Sequence, residues 1–142
     1  MGKKPSWFYR QSAVIPYRIV EGKIEILLIT SVNRGRWVIP KGIVEPGMSA
    51  AESARKEAFE EAGVRGKISS KAVGEYRHEK WGGECRVKVY LMKVQKVMDR
   101  WPEKSVRRRQ WMRVSAAAKT VTRPKLQKLI LKMPDLIEEA EF

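Results

Sequence analysis

The 142-residue sequence predicts an α+β fold, a sheet sandwiched with helices, on three observations. Short stretches of alternating or continuously apolar residues, bounded by Gly- and Pro-bearing turns, read as strands. Two stretches instead carry helical spacing, one beginning near position 50 and one near position 123. The strands lie on both sides of the first helix in chain order, so one sheet can collect them around the two helices.

Taken in order, residues 1–10 are basic and aromatic, with Trp7, Phe8 and Tyr9, and read as an arm or a first edge strand. The start MGKKPS fits the loose myristoylation pattern through Gly2 and Ser6. Residues 12–20 and 23–30 read as two strands joined by a turn at Glu21-Gly22, the second becoming continuously apolar as a buried central strand does. Residues 37–39 give a short apolar strand stopped by Pro40. A helix follows from a Ser49 N-cap to about Ala62, with Ser49 and Glu52 spaced as a capping box and Gly63 where a left-handed C-terminal cap belongs. Ala51, Ala54, Ala58 and Ala62 recur along one side and suit close packing on a sheet. Residues 67–79 and 84–97 read as two longer strands around a Trp81-Gly82-Gly83 hairpin. Residues 110–114 make a further short strand, Ser115 caps an Ala-rich turn, and residues 123–139 form a helix that Pro134 kinks or ends early.

Composition sets the bounds. No linker, repeat or low-complexity tract divides the chain, so residues 1–142 read as one domain with its own core. The single cysteine, Cys85, excludes an intramolecular disulfide and fits a reducing, cytoplasmic setting. No apolar run approaches the roughly 18 residues of a membrane span, and no membrane partner is expected. The net charge is +14, from 30 Lys and Arg against 16 Asp and Glu. Five of those acids lie between positions 45 and 61 and four between 135 and 141, so the remaining surface is more basic still. Such a field draws polyanions: nucleic acid, polyphosphate-bearing small molecules or an anionic membrane surface.

The chemistry concentrates in residues 42–64, GIVEPGMSAAESARKEAFEEAGV. Glu57, Glu60 and Glu61 stand at i, i+3 and i+4, on one face of one helical turn. Like charges at that spacing oppose the helix by about 0.2–0.5 kcal/mol per pair, so the cluster calls for a cation. Hard oxygen ligands on a short rigid element suit Mg²⁺ or Mn²⁺, with a substrate phosphate completing the shell.

This segment resembles the Nudix box, G-x5-E-x7-R-E-U-x-E-E-x-G-U with U aliphatic. Gly42, Glu57, Ala58, Glu60, Glu61, Gly63 and Val64 match in register. Met48 stands where the family has its first Glu, and Lys56 where it has Arg. Those two family side chains pair to brace the loop against the helix, so the departures touch a support and leave the carboxylates in place. Met48 is expected to pack on the stem of Lys56, with Glu45 or Glu52 holding the loop. The resemblance implies an α/β/α sandwich with a mixed central sheet, in agreement with the element pattern.

WVIPKG before the box and the later W-x-x-V look most like the branch that hydrolyses diphosphoinositol polyphosphates and dinucleoside polyphosphates. That likeness implies phosphate contacts from Ser31, Arg34, Arg107, Arg108 and Arg109, with Arg10 a looser candidate. It implies metal binding by Glu57, Glu60 and Glu61, with Glu60 accepting the proton of the attacking water. An auxiliary carboxylate is expected among Glu75, Glu79 and Glu84, while the lone His78, Trp37 and Trp111 read first as packed residues. Three other readings fit the same residues: an RNA 5′ pyrophosphohydrolase, a Nudix-fold binding protein without turnover, and a nucleic-acid-binding module with an incidental acidic helix.

Overall fold

A computed structural model describes residues 3–142, and the Gly2 pattern lies outside the described residues. A 3₁₀ turn, Ser6–Tyr9, leads into β1 (Arg10–Val20), β2 (Lys23–Thr30), β3 (Trp37–Val38) and β4 (Lys41–Ile43). Helix α1 (Ala50–Ala62) follows, then β5 (Val64–Ile68), β6 (Gly74–Lys80), β7 (Gly83–Val97) and β8 (Arg109–Arg113). Three helices close the chain: α2 (Val114–Thr120), α3 (Pro124–Leu131) and α4 (Met133–Glu139). The sheet runs β3-β2-β1-β7-β5, with β4 added on β1, β6 on β7 and β8 on β2. Only the β1–β7 pairing is parallel, so the sheet is mixed. Pro16 lies within β1 yet costs no bond on the β2 side. Along that edge the ladder to β4 ends at Ala13 and the ladder to β2 begins at Tyr17.

Strand alternation divides the core. Ala13, Ile15, Tyr17, Val87, Val89 and Leu91 face α2–α4, packing on Ala117, Leu126, Leu129, Ile130 and Met133. Val14, Leu27, Ile29, Tyr90 and Met92 face α1, where Ala54, Ala58 and Ala62 let the helix lie close on the strands. Helices therefore cover both faces of the sheet, as the pattern predicts.

The C-terminal helix breaks near Pro134 as expected, at Lys132, with Pro134 in the first turn of α4, where its missing N–H is harmless. Three details differ from expectation. The strand expected at 67–79 is two strands, because Ser69 turns its hydroxyl on the backbone: it accepts from Leu91 N–H at 3.1 Å and donates to Lys71 C=O at 2.9 Å. Ser115 caps nothing, since α2 already begins at Val114 and its N-cap is Arg113. The hairpin turn is two residues, Trp81 (φ 54°) and Gly82 (φ 69°), both left-handed, with Gly83 already in β7.

Candidate active site

Helix α1 carries the site, and its two ends are fixed by local chemistry. The Ser49 hydroxyl accepts from Glu52 N–H at 3.1 Å, and the Glu52 carboxylate accepts from Ser49 N–H at 2.9 Å, completing the capping box. At the other end Gly63 adopts φ 66°, and a β-carbon there would collide with Trp101 and Arg109. The segment between β7 and β8 clasps this end: Trp101 Nε1–H donates to Glu61 C=O at 3.2 Å, Glu103 N–H to Glu60 C=O at 3.0 Å and Met98 N–H to Gly63 C=O at 2.8 Å. The last turn, which bears Glu60 and Glu61, is thus held rigid from outside the helix.

The three carboxylates separate into a pair and an outlier. Glu57 and Glu61 are 7% and 8% exposed, and Glu57 lies against Gly42, where any β-carbon would overlap its carboxyl group. Glu61 accepts from Lys41 N–H at 3.1 Å and lies 3.3 Å from the Arg107 guanidinium. Glu60 turns outward to Lys56, whose ammonium is 3.4 Å from Glu60, 3.6 Å from Glu57 and 3.9 Å from Glu45. Among the described residues no three acidic, His or Cys side chains form a preformed metal cage. Of the three carboxylates that helix spacing puts on one face, two are buried, while Glu60 is more exposed and shares the Lys56 ammonium with Glu57.

Burial pushes both Glu57 and Glu61 above the ordinary carboxylate range; Lys56 opposes this at Glu57 and Arg107 at Glu61. Two buried carboxylates one helical turn apart offer hard oxygen ligands that fit a divalent ion. Mg²⁺ in particular is usually held by one or two carboxylates together with substrate phosphates.

Glu61 opens onto a cleft of about 370 Å³. Glu61 is the acid in its wall, against five cations: Arg36, Lys41, Lys80, Arg107 and Arg123. Trp37, Tyr76, Val121 and Leu126 supply an apolar side. Burial lowers Lys41 to about 8, helped by the charges of Arg123 and Lys80. Burial raises Tyr76 to about 12, and Arg123 sits 4.9 Å over its ring. His78 faces Gln11 and Lys41, its Nε2 at 3.3 Å from Gln11 Oε1 and 3.4 Å from Lys41 Nζ. Burial and then the Lys41 charge lower it to about 4, so it is neutral near pH 7.

The remaining sequence-predicted residues divide between cleft and scaffold. Ser31 lines the cleft, while Arg34 is exposed on the loop 31–36 and yields its place to Arg36. Arg107 reaches the cleft, also bonding Glu103 at 2.8 Å and Thr30 C=O at 2.9 Å. Arg108 is exposed, its guanidinium 5.7 Å from the Trp37 ring. Arg109 lies outside the cleft: it donates to Ala62 C=O at 2.9 Å and Met98 C=O at 2.7 Å and stacks on Trp101 at 3.8 Å. Arg10 lies in a different recess with Arg86 and Lys88. Glu75 and Glu84 pair with arginines of the opposite sheet face, and Glu79 does not line the cleft. The carboxylate beside the Glu61–Arg107 pair is instead Glu103. Trp111 packs under Arg18, 4.0 Å from its guanidinium. Arg36, Lys41, Lys80, Arg123 and Glu103 are missed by sequence reasoning; Arg36, two positions after Arg34, and Lys41, inside WVIPKG, carry a local signal.

Comparison with known proteins gives the family of this architecture. The NUDIX domain model matches residues 9–133, and the chain belongs to that family. It is 34% identical over 128 residues to Nudix hydrolase 13, mitochondrial, of Arabidopsis thaliana, covering 75% of this chain and 63% of that protein. It is also 34% identical over 121 residues to diphosphoinositol polyphosphate phosphohydrolase 3-beta of Bos taurus, covering 82% and 71%. A crystal structure of the C. elegans Ap4A hydrolase superposes with TM-score 0.75 at 25% identity, over 90% of this chain and 97% of that one. The chain thus spans slightly less than two thirds of the plant relatives' length.

Proposed function

We propose that this protein is a metal-dependent pyrophosphohydrolase. Its substrate would carry a phosphoanhydride in a nucleoside-diphosphate-linked or polyphosphate compound, dinucleoside and diphosphoinositol polyphosphates being the favoured classes. The observation that carries the reading is buried Glu61, with buried Glu57 one helical turn behind it, facing a cleft walled by five cations. Names of relatives that act on diphosphoinositol polyphosphates and Ap4A support the same bond type.

Glu57 and Glu61 would hold Mg²⁺ or Mn²⁺. When bound, the ion supplies Lewis-acid polarisation of the phosphate oxygens and acidifies the attacking water. Glu60, at the rim, accepts the proton as the water oxygen bonds to phosphorus and the bridging P–O bond breaks. Arg107 neutralises charge developing on the phosphate oxygens, and it is preorganised by Glu61, Glu103 and Thr30. Lys41, Lys80, Arg36 and Arg123 hold the rest of the phosphate chain, and Ser31 lies within reach of it.

The test is turnover by purified protein with Mg²⁺ or Mn²⁺ on dinucleoside polyphosphates, nucleoside triphosphates, sugar nucleotides, inositol pyrophosphates and 5′-triphosphate RNA. Glu60→Gln should lower kcat at least ~100-fold on the best substrate, the scale of losing a positioned base, with the melting temperature unchanged. Metal-independent turnover, or near-wild-type turnover by Glu60→Gln, would remove the assignment.

A further inference from the structure

His78 is the one histidine of the chain, and the hydrolytic scheme leaves it without a role. In β6, Tyr76 and Lys80 line the cleft. Residues two apart in a strand share a face, so His78 between them lies on the cleft side of the sheet. Lys41 comes from β4, with β1 and β7 between it and β6. Its ammonium nevertheless reaches the imidazole, Nζ lying 3.4 Å from His78 Nε2.

Lys41 serves the site twice. Its backbone N–H donates to Glu61 at 3.1 Å, and its side chain lines the cleft. Among the described residues the Lys41 ammonium has no ion-pair partner. His78 is its one hydrogen-bond partner among them. An ammonium has three donors, so two are left for the cleft.

Nε2 of His78 faces two neighbours with opposite demands. Gln11 Oε1, 3.3 Å away, can only accept, whereas an ammonium can only donate. A neutral imidazole nitrogen either carries a hydrogen or accepts one, so it serves one of the two. The ammonium prevails, because a hydrogen bond from a charged donor is roughly twice as strong as a neutral one. Gln11 keeps the bonds of its NH₂ group, 3.4 Å from Phe8 C=O and 3.7 Å from the Cys85 sulfur. Nδ1 then carries the hydrogen, and the Glu79 backbone hydrogen-bonds the ring. Burial and the Lys41 charge keep the ring neutral near pH 7, as an accepting nitrogen requires.

We infer that His78 is a positioning residue: its bare Nε2 accepts from the Lys41 ammonium and aims the two remaining N–H donors at the phosphates of the substrate. This role rests on the cleft taking a phosphate chain, as proposed above. A free lysine stem loses rotamer freedom when a ligand fixes it, and a bond already made in the empty cleft removes part of that loss.

Two measurements test the role, and neither needs turnover. With one histidine in the chain, nitrogen NMR of histidine-labelled protein near pH 7 reads this ring alone. Nδ1 should be the protonated nitrogen and Nε2 the bare one. In Lys41→Met the hydrogen should move to Nε2, which then donates to Gln11.

The second measurement is calorimetric titration of the full chain with inorganic tripolyphosphate in metal-free buffer. His78→Leu should weaken binding about tenfold, the scale of one hydrogen bond to a charged group. His78→Gln keeps an acceptor and should recover most of that loss. In the Lys41→Met background His78→Leu should change nothing, since the imidazole acts through the ammonium; a merely structural residue would weaken both backgrounds alike.

A protonated Nε2 in the wild-type protein, an unchanged tautomer in Lys41→Met, or equal effects of His78→Leu in both backgrounds would each overturn the inference. Those results leave the pyrophosphohydrolase reading standing. Wild-type protein that binds no tripolyphosphate overturns the inference and the phosphate-binding cleft together.

Discussion

Arg107, Arg108 and Arg109 are one residue type in three consecutive places, and their surroundings give them three different jobs. Arg107 is nearly buried between Glu61 and Glu103 and presents its charge to the cleft. Arg108 is exposed near Trp37. Arg109 satisfies carbonyls that the C-terminal end of α1 leaves without intrahelical partners. Sequence alone treats the run as one phosphate-binding unit, since nothing in RRR distinguishes a donor fork aimed at substrate from one aimed at a helix end. The roles should separate in single variants. Arg109→Ala should cost about 2 kcal/mol of stability, the scale of lost hydrogen bonds to a charged donor, with KM unchanged. Arg107→Ala should raise KM more for longer phosphate chains than for shorter ones. Thermal melts beside KM series on a tri- and a tetraphosphate check both, and equal KM shifts from the two substitutions would refute the division.

Among elements, those defined by local chemistry were legible and those defined by distant partners were not. Ser49, Glu52 and Gly63 spell out both ends of α1 within 15 positions, and the structure shows the two cap bonds and the left-handed residue. By contrast β4 is three residues that exist as a strand through pairing with β1, and no pattern that short announces it. The cleft was legible on its α1 side and at Ser31 and Arg107. Lys80 and Arg123 come from the hairpin and from the start of α3, brought beside Lys41 by the fold and not by spacing.

The loop ahead of α1 shows how a departure from a pattern is absorbed. Met48 removes the family's bracing acid, and Glu45 instead reaches Lys56 at 3.9 Å while Glu52 is occupied by the cap. Met48 N–H closes on Glu45 C=O at 3.1 Å, so the loop is also tied by its backbone. A single ammonium shared among Glu45, Glu57 and Glu60 is a looser brace than a bidentate guanidinium–carboxylate pair. Met48→Glu with Lys56→Arg should therefore lower the Mg²⁺ concentration for half-maximal rate. The pair should do so by about 0.5 kcal/mol or more beyond the sum of the single variants. A double-mutant cycle on that concentration is the measurement, and additive effects would show that the two positions do not meet.

Over the whole molecule, 30 cationic residues face 16 acidic ones, and the acids cluster at α1 and the C-terminal end. The cleft wall gathers five of the cations, Arg36, Lys41, Lys80, Arg107 and Arg123, around one acid. Net charge of one sign repels itself and favours expansion of the chain, so the native state is strained in low salt. Raising salt from about 0.01 M to about 0.15 M shortens the screening length from roughly 30 Å to 8 Å. The melting temperature should rise by a few degrees over that range, since repulsion among cations outnumbers the mostly exposed ion pairs that screening also weakens. Inorganic tripolyphosphate at matched ionic strength should raise it further, because a ligand bound by the native cleft adds mass-action stabilisation that chloride cannot. Arg123→Ala should remove that extra rise while keeping the chloride effect. A fall in melting temperature with salt would show that the ion pairs dominate, and identical curves in chloride and tripolyphosphate would show that the cleft does not recognise phosphate chains.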